Sequence, residues 1–212
     1  MLKTNILASS ITNLTDARYF AAWEVEWLGF NFDEVAADFI PPQGMKAIRD
    51  WVAGVKIIGC FGSQSLVEIE TATELLELDA VQLGMLSDLE TTRKLSVPVI
   101  KEIVVGKVAS AENLTREIEI FAPYCTAFLL NFAKNGICWK DLCTSKVLPS
   151  SFLKTLCQQH EILLDIDLSI KILKEMLPYL QPYGILLKGG VEEKTGFKSF
   201  DELDEIFEWL EE

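Results

Sequence analysis

The chain has 212 residues, 50% of them hydrophobic, and 19 Lys plus Arg against 32 Asp plus Glu give a net charge of −13. That length can bury most of the surface its unfolded form would expose, so one domain spanning 1–212 is expected. The acidic balance, with basic residues scattered rather than clustered, argues against nucleic acid and membrane surfaces as partners.

No run of about 18 apolar residues and no basic-headed apolar leader occur, so neither membrane spanning nor secretion is expected. Cysteines at 60, 125, 138, 143 and 157 form no C-x-x-C pair. They imply neither zinc nor disulfides, fit a reducing cytoplasmic setting, and leave no cofactor or metal to be expected. The one histidine, His160, would have to serve any Ser-His or Cys-His pair. Its place at the start of a predicted strand reads better as a surface or core residue.

In chain order, short apolar runs rich in β-branched and aromatic residues predict strands at 5–9, 26–31, 55–60, 79–83, 98–103, 125–131, 161–165 and 184–188. Amphipathic stretches at 64–77, 110–122, 168–180 and 199–211 predict helices between and after them. Ser65 and Ser199 are candidate helix caps, and Asp16 puts negative charge into the first turn of the first helix. Eight such units of about 26 residues suit a closed parallel (βα)8 barrel, a TIM barrel, with an open doubly wound sheet as the alternative. No G-x-G-x-x-G follows the first strand, which favours the barrel.

In a barrel the chemistry sits at the carboxyl ends of the strands. The stretches to watch are then Ser9 and Ser10, Asn31 to Asp38, Phe61 to Gln64, Gln82 to Met85, Glu102 to Val105, Asn131 to Asn135, Asp165 to Asp167 and Lys188 to Val191.

Several phrases, in order over nearly the whole chain, resemble the phosphoribosylanthranilate isomerase family, (βα)8 enzymes of tryptophan biosynthesis. They are ITNLTDA at 11–17, LGFNF at 28–32, IIGCF at 57–61 with Gln64 after it, LDAVQL at 78–83, PVIK at 98–101 and GGVEEKTGFKSFDEL at 189–203. The resemblance implies an Amadori rearrangement of a phosphorylated aminosugar. It also implies a general-base cysteine in a K-I-C-G-I-T phrase, which ILASSIT replaces with Ser9, Ser10 standing at the following glycine. The family's general-acid aspartate, ending the sixth strand, falls on Asn131, and its anthranilate-binding arginine falls on Asp38.

These replacements change the chemistry expected. A thiol can be tuned to titrate near neutrality, whereas an unassisted serine hydroxyl cannot, and an amide has no proton to give. A carboxylate facing a carboxylate at about 4–5 Å, with an effective dielectric of roughly 20, turns attraction into repulsion worth several kcal/mol. The family's phosphate loop, a serine and two glycines, reads Asp165, Ile166, Asp167. Gly84 stands for a histidine, and the Gly-rich loop with its lysine reads AKNGICW. Gln82 remains in its Q-L phrase, and Lys188, Gly189 and Gly190 keep a phosphate-friendly turn.

Three readings stay open: a lapsed isomerase kept for binding or regulation, an enzyme of altered chemistry, and an active isomerase. In each, a small molecule at the strand carboxyl ends is the expected partner, and the chain is a monomer or homodimer. A mouth plugged by Phe39, Ile166 or Phe197 would favour a non-enzymatic role. Asp165 or Asp167 can pair with Lys188 below about 4 Å, or Asp167 can cap the next helix. Lys56 is expected at an exposed strand start and Lys101 in an inward salt bridge, the alternative for each being a Schiff-base role. Cys60, Cys125 and Cys157 are expected as small core residues. Outward-facing tryptophans among Trp23, Trp27, Trp51 and Trp209 would mark a partner surface.

Overall fold

The computed structural model describes residues 1–189, 191–194 and 197–211, with 191–194, 197 and 198 described by their backbone alone. Its strands are β1 (Asn5–Ser9), β2 (Trp27–Asn31), β3 (Lys56–Phe61), β4 (Ala80–Leu83), β5 (Val99–Val104), β6 (Ala127–Asn131), β7 (Ile162–Asp165) and β8 (Gly184–Lys188). They close in sequence order into a parallel barrel, the TIM-barrel architecture expected, and β8 returns to β1 over the register Asn5↔Gly184 to Ser9↔Lys188. The open doubly wound sheet is thereby excluded.

Between the strands run α1 (Leu14–Ala22), α2 (Pro42–Arg49), α3 (Leu66–Leu76), α4 (Leu89–Lys94), α5 (Ala111–Phe121), α6 (Trp139–Cys143), α7 (Ser150–Gln159) and α8 (Ile170–Leu180), with α9 (Asp201–Glu211) last. Helix starts follow capping chemistry. Ser65 and Glu68 close a reciprocal capping box on α3, and Asn13, Asp88, Ser110 and Ser169 each accept from a backbone N–H of their first turn. The cap of α8 is therefore Ser169 rather than Asp167, because helical geometry begins at Ile170 and Asp167 lies too far upstream. Ser199 accepts from the backbone N–H of Asp201 at 3.3 Å.

Beyond the barrel, β9 (Val191–Lys194) and β10 (Phe197–Ser199) pair antiparallel between β8 and α9. The strands predicted from the sequence include neither.

Two layers of core follow from the pleat. Outward residues such as Ile6, Ala8, Leu28, Phe30, Val81 and Leu164 pack under the helices. Inward residues form a second cluster: Leu7, Trp27, Ile58, Cys60, Ala80, Ile100, Ala127, Leu129, Leu163 and Leu186. The alternation also places Lys101 on the outer face. Ile100 points into the barrel, so Lys101 points away from it, and no inward salt bridge forms. Its ammonium donates instead to the carbonyls of Gly84 (2.6 Å) and Ser87 (2.9 Å) and lies over the Phe121 ring. Burial pushes its pKa down. Lys56 stands at an exposed strand start, paired with Glu26 at 2.5 Å.

Candidate functional site

The next inward position on each strand, one pleat above the apolar cluster, is polar nearly all the way round. Ser9 ends β1 beside Lys188 of β8, Asn31 of β2 neighbours Cys60, Cys60 neighbours Gln82, and Asn131 of β6 lies beside Asp165 of β7. With Glu102 of β5 these side chains line a cavity of about 610 Å³, whose walls include Asp33 and Asp38 from the β2–α2 loop and Lys134 from the turn after β6. Phe39 and Ile166 are not among its walls. Phe39 bridges Asn31 alongside, and Ile166 belongs to the outer core. The side chain of Phe197 lies outside the described residues.

At the centre of one wall is Glu102. Its Oε1 accepts from Asn131 Nδ2 and from Lys134 Nζ, both at 2.7 Å, while Asn131 Oδ1 accepts the backbone N–H of Lys134 at 2.9 Å. Asn131 is 3% exposed and Glu102 5%, so this is a buried network whose only solvated end is the lysine head. Charge-assisted bonds of this kind are short, and they fix the side chains that make them. Glu102 and Lys134 both fall within the stretches to watch, yet the sequence does not single them out as a pair, because they lie 32 residues apart and only barrel closure joins them. The available signal is the dipeptide Lys101-Glu102: adjacent strand residues face opposite ways, so one of them has to enter the barrel.

On the opposite wall Asn31 Nδ2 donates to Asp38 Oδ1 at 2.8 Å, and Asn31 Oδ1 accepts the backbone N–H of Asp33 at 3.0 Å. Gln64 bridges the same loop to the next, donating to the Phe32 carbonyl (3.0 Å) and accepting from Gly62 N–H (2.8 Å). Asp38 thus reaches the mouth, as expected, but its nearest partner is an amide. Gln82 is 8% exposed, and its Oε1 meets no hydrogen-bond donor of the described residues.

Lys188 and Asp165 approach to 4.0 Å, the outer limit of an ion pair, with Lys188 half-exposed and Asp165 buried. The contact is loose, just short of the pairing below about 4 Å that is one of the two readings of these aspartates. Burial raises the Asp165 pKa, Lys188 pulling it back and Glu102 adding to the rise. A second cavity, also about 610 Å³, opens between the ends of β7 and β8, bordered by Asp165, Asp167, Lys188, Gly189, Ser199, Asp201 and Glu202. Among the described residues, four carboxylates face one lysine here. A Cβ on Gly189 would stand 2.5 Å from Asp16 Oδ2, so glycine is required where the β8 turn rests on the first turn of α1. Gly190 lies outside the described residues.

Ser10 follows β1 with φ +60°, in the left-handed region that glycine enters freely and serine does not. This is the position where the resemblance implies glycine, and the backbone holds a conformation that glycine suits.

Other candidates lie elsewhere. His160 caps the end of α7 before β7, at the far rim of the barrel, with its ring edge-on to Phe128. It cannot activate Ser9. Cys60 is buried beneath the mouth, its thiol pushed up by burial and then by Glu102 and Asp38. Cys125 and Cys157 are only partly buried, their pKa values raised to about 11 and about 12 by burial. These are unreactive thiols. Trp27 is in the inner cluster, Trp23 stacks on Phe207, and Trp51 is 70% exposed. Among the described residues no His, Cys, Asp and Glu group could hold a metal, and no helix is long and apolar enough to cross a membrane.

Comparison with known proteins agrees with the fold. The family model for N-(5'-phosphoribosyl)anthranilate isomerase matches residues 8–209. Curated isomerases of that name from Bacillus thuringiensis (strain Al Hakam) and Bacillus cereus (strain AH820) are each 30% identical over 103 residues. Those matches cover 49% of this chain and 50% of each relative, so the chain spans about half the length of the curated relatives it matches. Among solved structures, the phosphoribosyl anthranilate isomerase of Thermus thermophilus superposes with a TM-score of 0.76 at 25% identity, covering 98% of both chains. That of Thermotoga maritima gives 0.78 at 21%, again over 98% of both. The chain belongs to the N-(5'-phosphoribosyl)anthranilate isomerase family.

Proposed function

We infer that this member of the isomerase family has lost the Amadori rearrangement and keeps its barrel mouth as a binding site for a small molecule in a binding or regulatory role. The observation that carries this is the state of the carboxyl-end ring. At the place implied for the base stands Ser9, whose strand neighbour is a lysine and which has no histidine near it. At the place implied for the acid stands Asn131, whose amide nitrogen is committed to Glu102. Losing a general acid or a general base costs about 10²–10⁴ in rate each.

Binding of a doubly anionic substrate is opposed as well. Asp38 occupies the place implied for the carboxylate-binding arginine, and it lines the cavity with no cationic partner among the described residues. The cavity between β7 and β8, where a phosphate would sit, is bordered by Asp165, Asp167, Asp201 and Glu202. Backbone N–H groups of a glycine turn attract phosphate, and four carboxylates repel it. The proposed site is Ser9, Asp38, Gln82, Asn131, Asp165, Asp167, Lys188, Gly189 and Gly190, joined by Glu102 and Lys134.

One observation favours a second reading, an enzyme of altered chemistry. Asp165 is a buried carboxyl with a raised pKa in a formed cavity, and such a group can carry a proton to a ligand. Steady-state assay of the purified chain with phosphoribosylanthranilate, together with complementation of a tryptophan auxotroph, tests the main proposal. No turnover and no growth are expected. Turnover that survives Ser9→Ala and Asn131→Ala would show both an active isomerase and a different catalytic set.

A further inference from the structure

The main cavity has an internal asymmetry of charge. Of its four carboxylates, two are matched: Glu102 by Lys134 at 2.7 Å and Asp165 by Lys188 at 4.0 Å. The other two, Asp33 and Asp38 in the β2–α2 loop, meet no lysine or arginine within ion-pair distance among the described residues. Asp38 Oδ1 is occupied by Asn31, while its Oδ2 accepts no hydrogen bond from the described residues. One side of the cavity therefore carries uncompensated negative charge, and the other is neutralised.

An independent feature lies two strands away. Gln82 points inward from β4 and lines the same cavity, yet its oxygen has no donor although the residue is more than nine-tenths buried. A buried acceptor left unmade costs about 1–3 kcal/mol, so a turn of the Gln82 amide that brings this sealed oxygen to the cavity, where a ligand can donate to it, is rewarded. Between the two polar ends the surface is apolar. Leu129 and Leu186 form part of the floor, and Met85 and Leu86, 68% and 72% exposed, stand on the rim. Lys101 holds their loop from behind through the Gly84 and Ser87 carbonyls.

We propose that the mouth binds a small organic cation: an ammonium at Asp38 and Asp33, an apolar or aromatic arm against Leu86 and Leu129, and a distal hydroxyl or amine donating to Gln82. Two strand spacings separate β2 from β4, about 10 Å, which sets the length of the arm. This rests on the reading of a lapsed isomerase, since a phosphorylated anion and an organic cation ask for opposite fields.

Three probes of one shape test it: tyramine, the neutral alcohol tyrosol and the anion 4-hydroxyphenylacetate, titrated into the intact chain by calorimetry at neutral pH. Tyramine is expected to bind about tenfold more tightly than tyrosol, and 4-hydroxyphenylacetate to give no saturable heat. Asp38→Asn, which keeps the size of the side chain, is expected to cut tyramine affinity about tenfold and leave tyrosol unchanged. Gln82→Leu is expected to weaken both tyramine and tyrosol. Equal binding of amine and alcohol, preference for the acid, no tyramine binding, or an Asp38→Asn variant that is folded by circular dichroism and binds normally would each overturn the proposal. The isomerase assay separates the two levels. Turnover of phosphoribosylanthranilate overturns the lapsed reading and the cation proposal with it, whereas absent turnover with absent tyramine binding overturns the cation proposal alone.

Discussion

Within one pleat the inside of this barrel changes from a sealed apolar plug to a charged ring. Below are Leu7, Ile58, Ile100, Ala127, Leu129 and Leu163; one inward position higher stand Ser9, Gln82, Glu102, Asn131 and Asp165. The lower layer resembles any barrel interior, and packing alone decides which residues fit there. The upper layer lines the open cavity, so it can change without unfolding the protein, and it is there that the proposed binding site lies. The apolar core and the proposed site are separated by a few ångströms along the same strands.

The sharpest way to break that comparison is to remove a plug residue. Leu163 is fully buried, and its Cδ2 fills the space over Gly184, where an added Cβ would lie only 2.6 Å away. Leu163→Ala leaves a cavity beside Gly184, and a loss of about 2–5 kcal/mol is expected in urea denaturation. A loss below about 1 kcal/mol would mean the lower layer is not the plug it is taken to be. In the ring above, Glu102→Ala strips Asn131 of its acceptor and Lys134 of its counter-charge. The lysine can turn to water, but the buried amide cannot, so the expected loss is smaller, about 1–3 kcal/mol.

The contrast also explains what can be read from the chain alone. The eight barrel strands are legible because parallel strands, covered on both faces, are unbroken apolar runs. Their predicted starts fall one or two residues early at 26, 55, 79, 98, 125 and 161. At those places the polar or apolar residue before each strand gives no mark of where the hydrogen-bonded ladder begins.

The same uniformity hides the phase. In VIKEIV both faces are buried, so hydrophobicity does not say whether Lys101 or Glu102 enters the barrel, and only the inward position of Ile100 resolves it. Ser9, Asp38, Gln82, Asn131, Asp165 and Lys188 are legible as neighbours, since strand ends converge in any closed barrel. The Glu102–Lys134 pair and the orphan oxygen of Gln82 are not, because they depend on side-chain reach across strands. The β9–β10 hairpin escapes a sequence reading since VEEKTGFKS has neither an apolar run nor a clean alternation.

A milder test acts on the backbone at the ring. Ser10 holds φ +60°, a conformation that costs a non-glycine residue about 1–2 kcal/mol. Ser10→Gly removes that penalty and loosens the unfolded chain, so a net gain of up to about 1 kcal/mol is expected. Thermal unfolding checks it. A loss of stability would mean that the serine side chain makes a contact at the mouth that outweighs the strain.

The smallest effect expected is a slope rather than a level. Asp165 is buried, and its carboxyl is harder to ionise in the folded chain than in the unfolded one, whose value is near 3.8. Between the unfolded value and the raised folded value, the native state binds more protons than the unfolded state. Stability contributed by this group therefore falls as pH rises through that window, and the penalty is complete above it. Asp165→Asn abolishes the titration, so the stability of that variant relative to the unaltered chain should climb as pH rises through the window and level off above the folded pKa.

Lys188 sets the size of that climb. It stands 4.0 Å away with its head half in water, so it offsets only part of the burial cost, and a Lys188→Met background should enlarge the stability difference that Asp165→Asn makes. Urea titrations of both backgrounds at several pH values measure it. A flat difference across pH would mean that Asp165 is already solvated enough to ionise normally, and the ring would then be a wet surface rather than the upper edge of the plug.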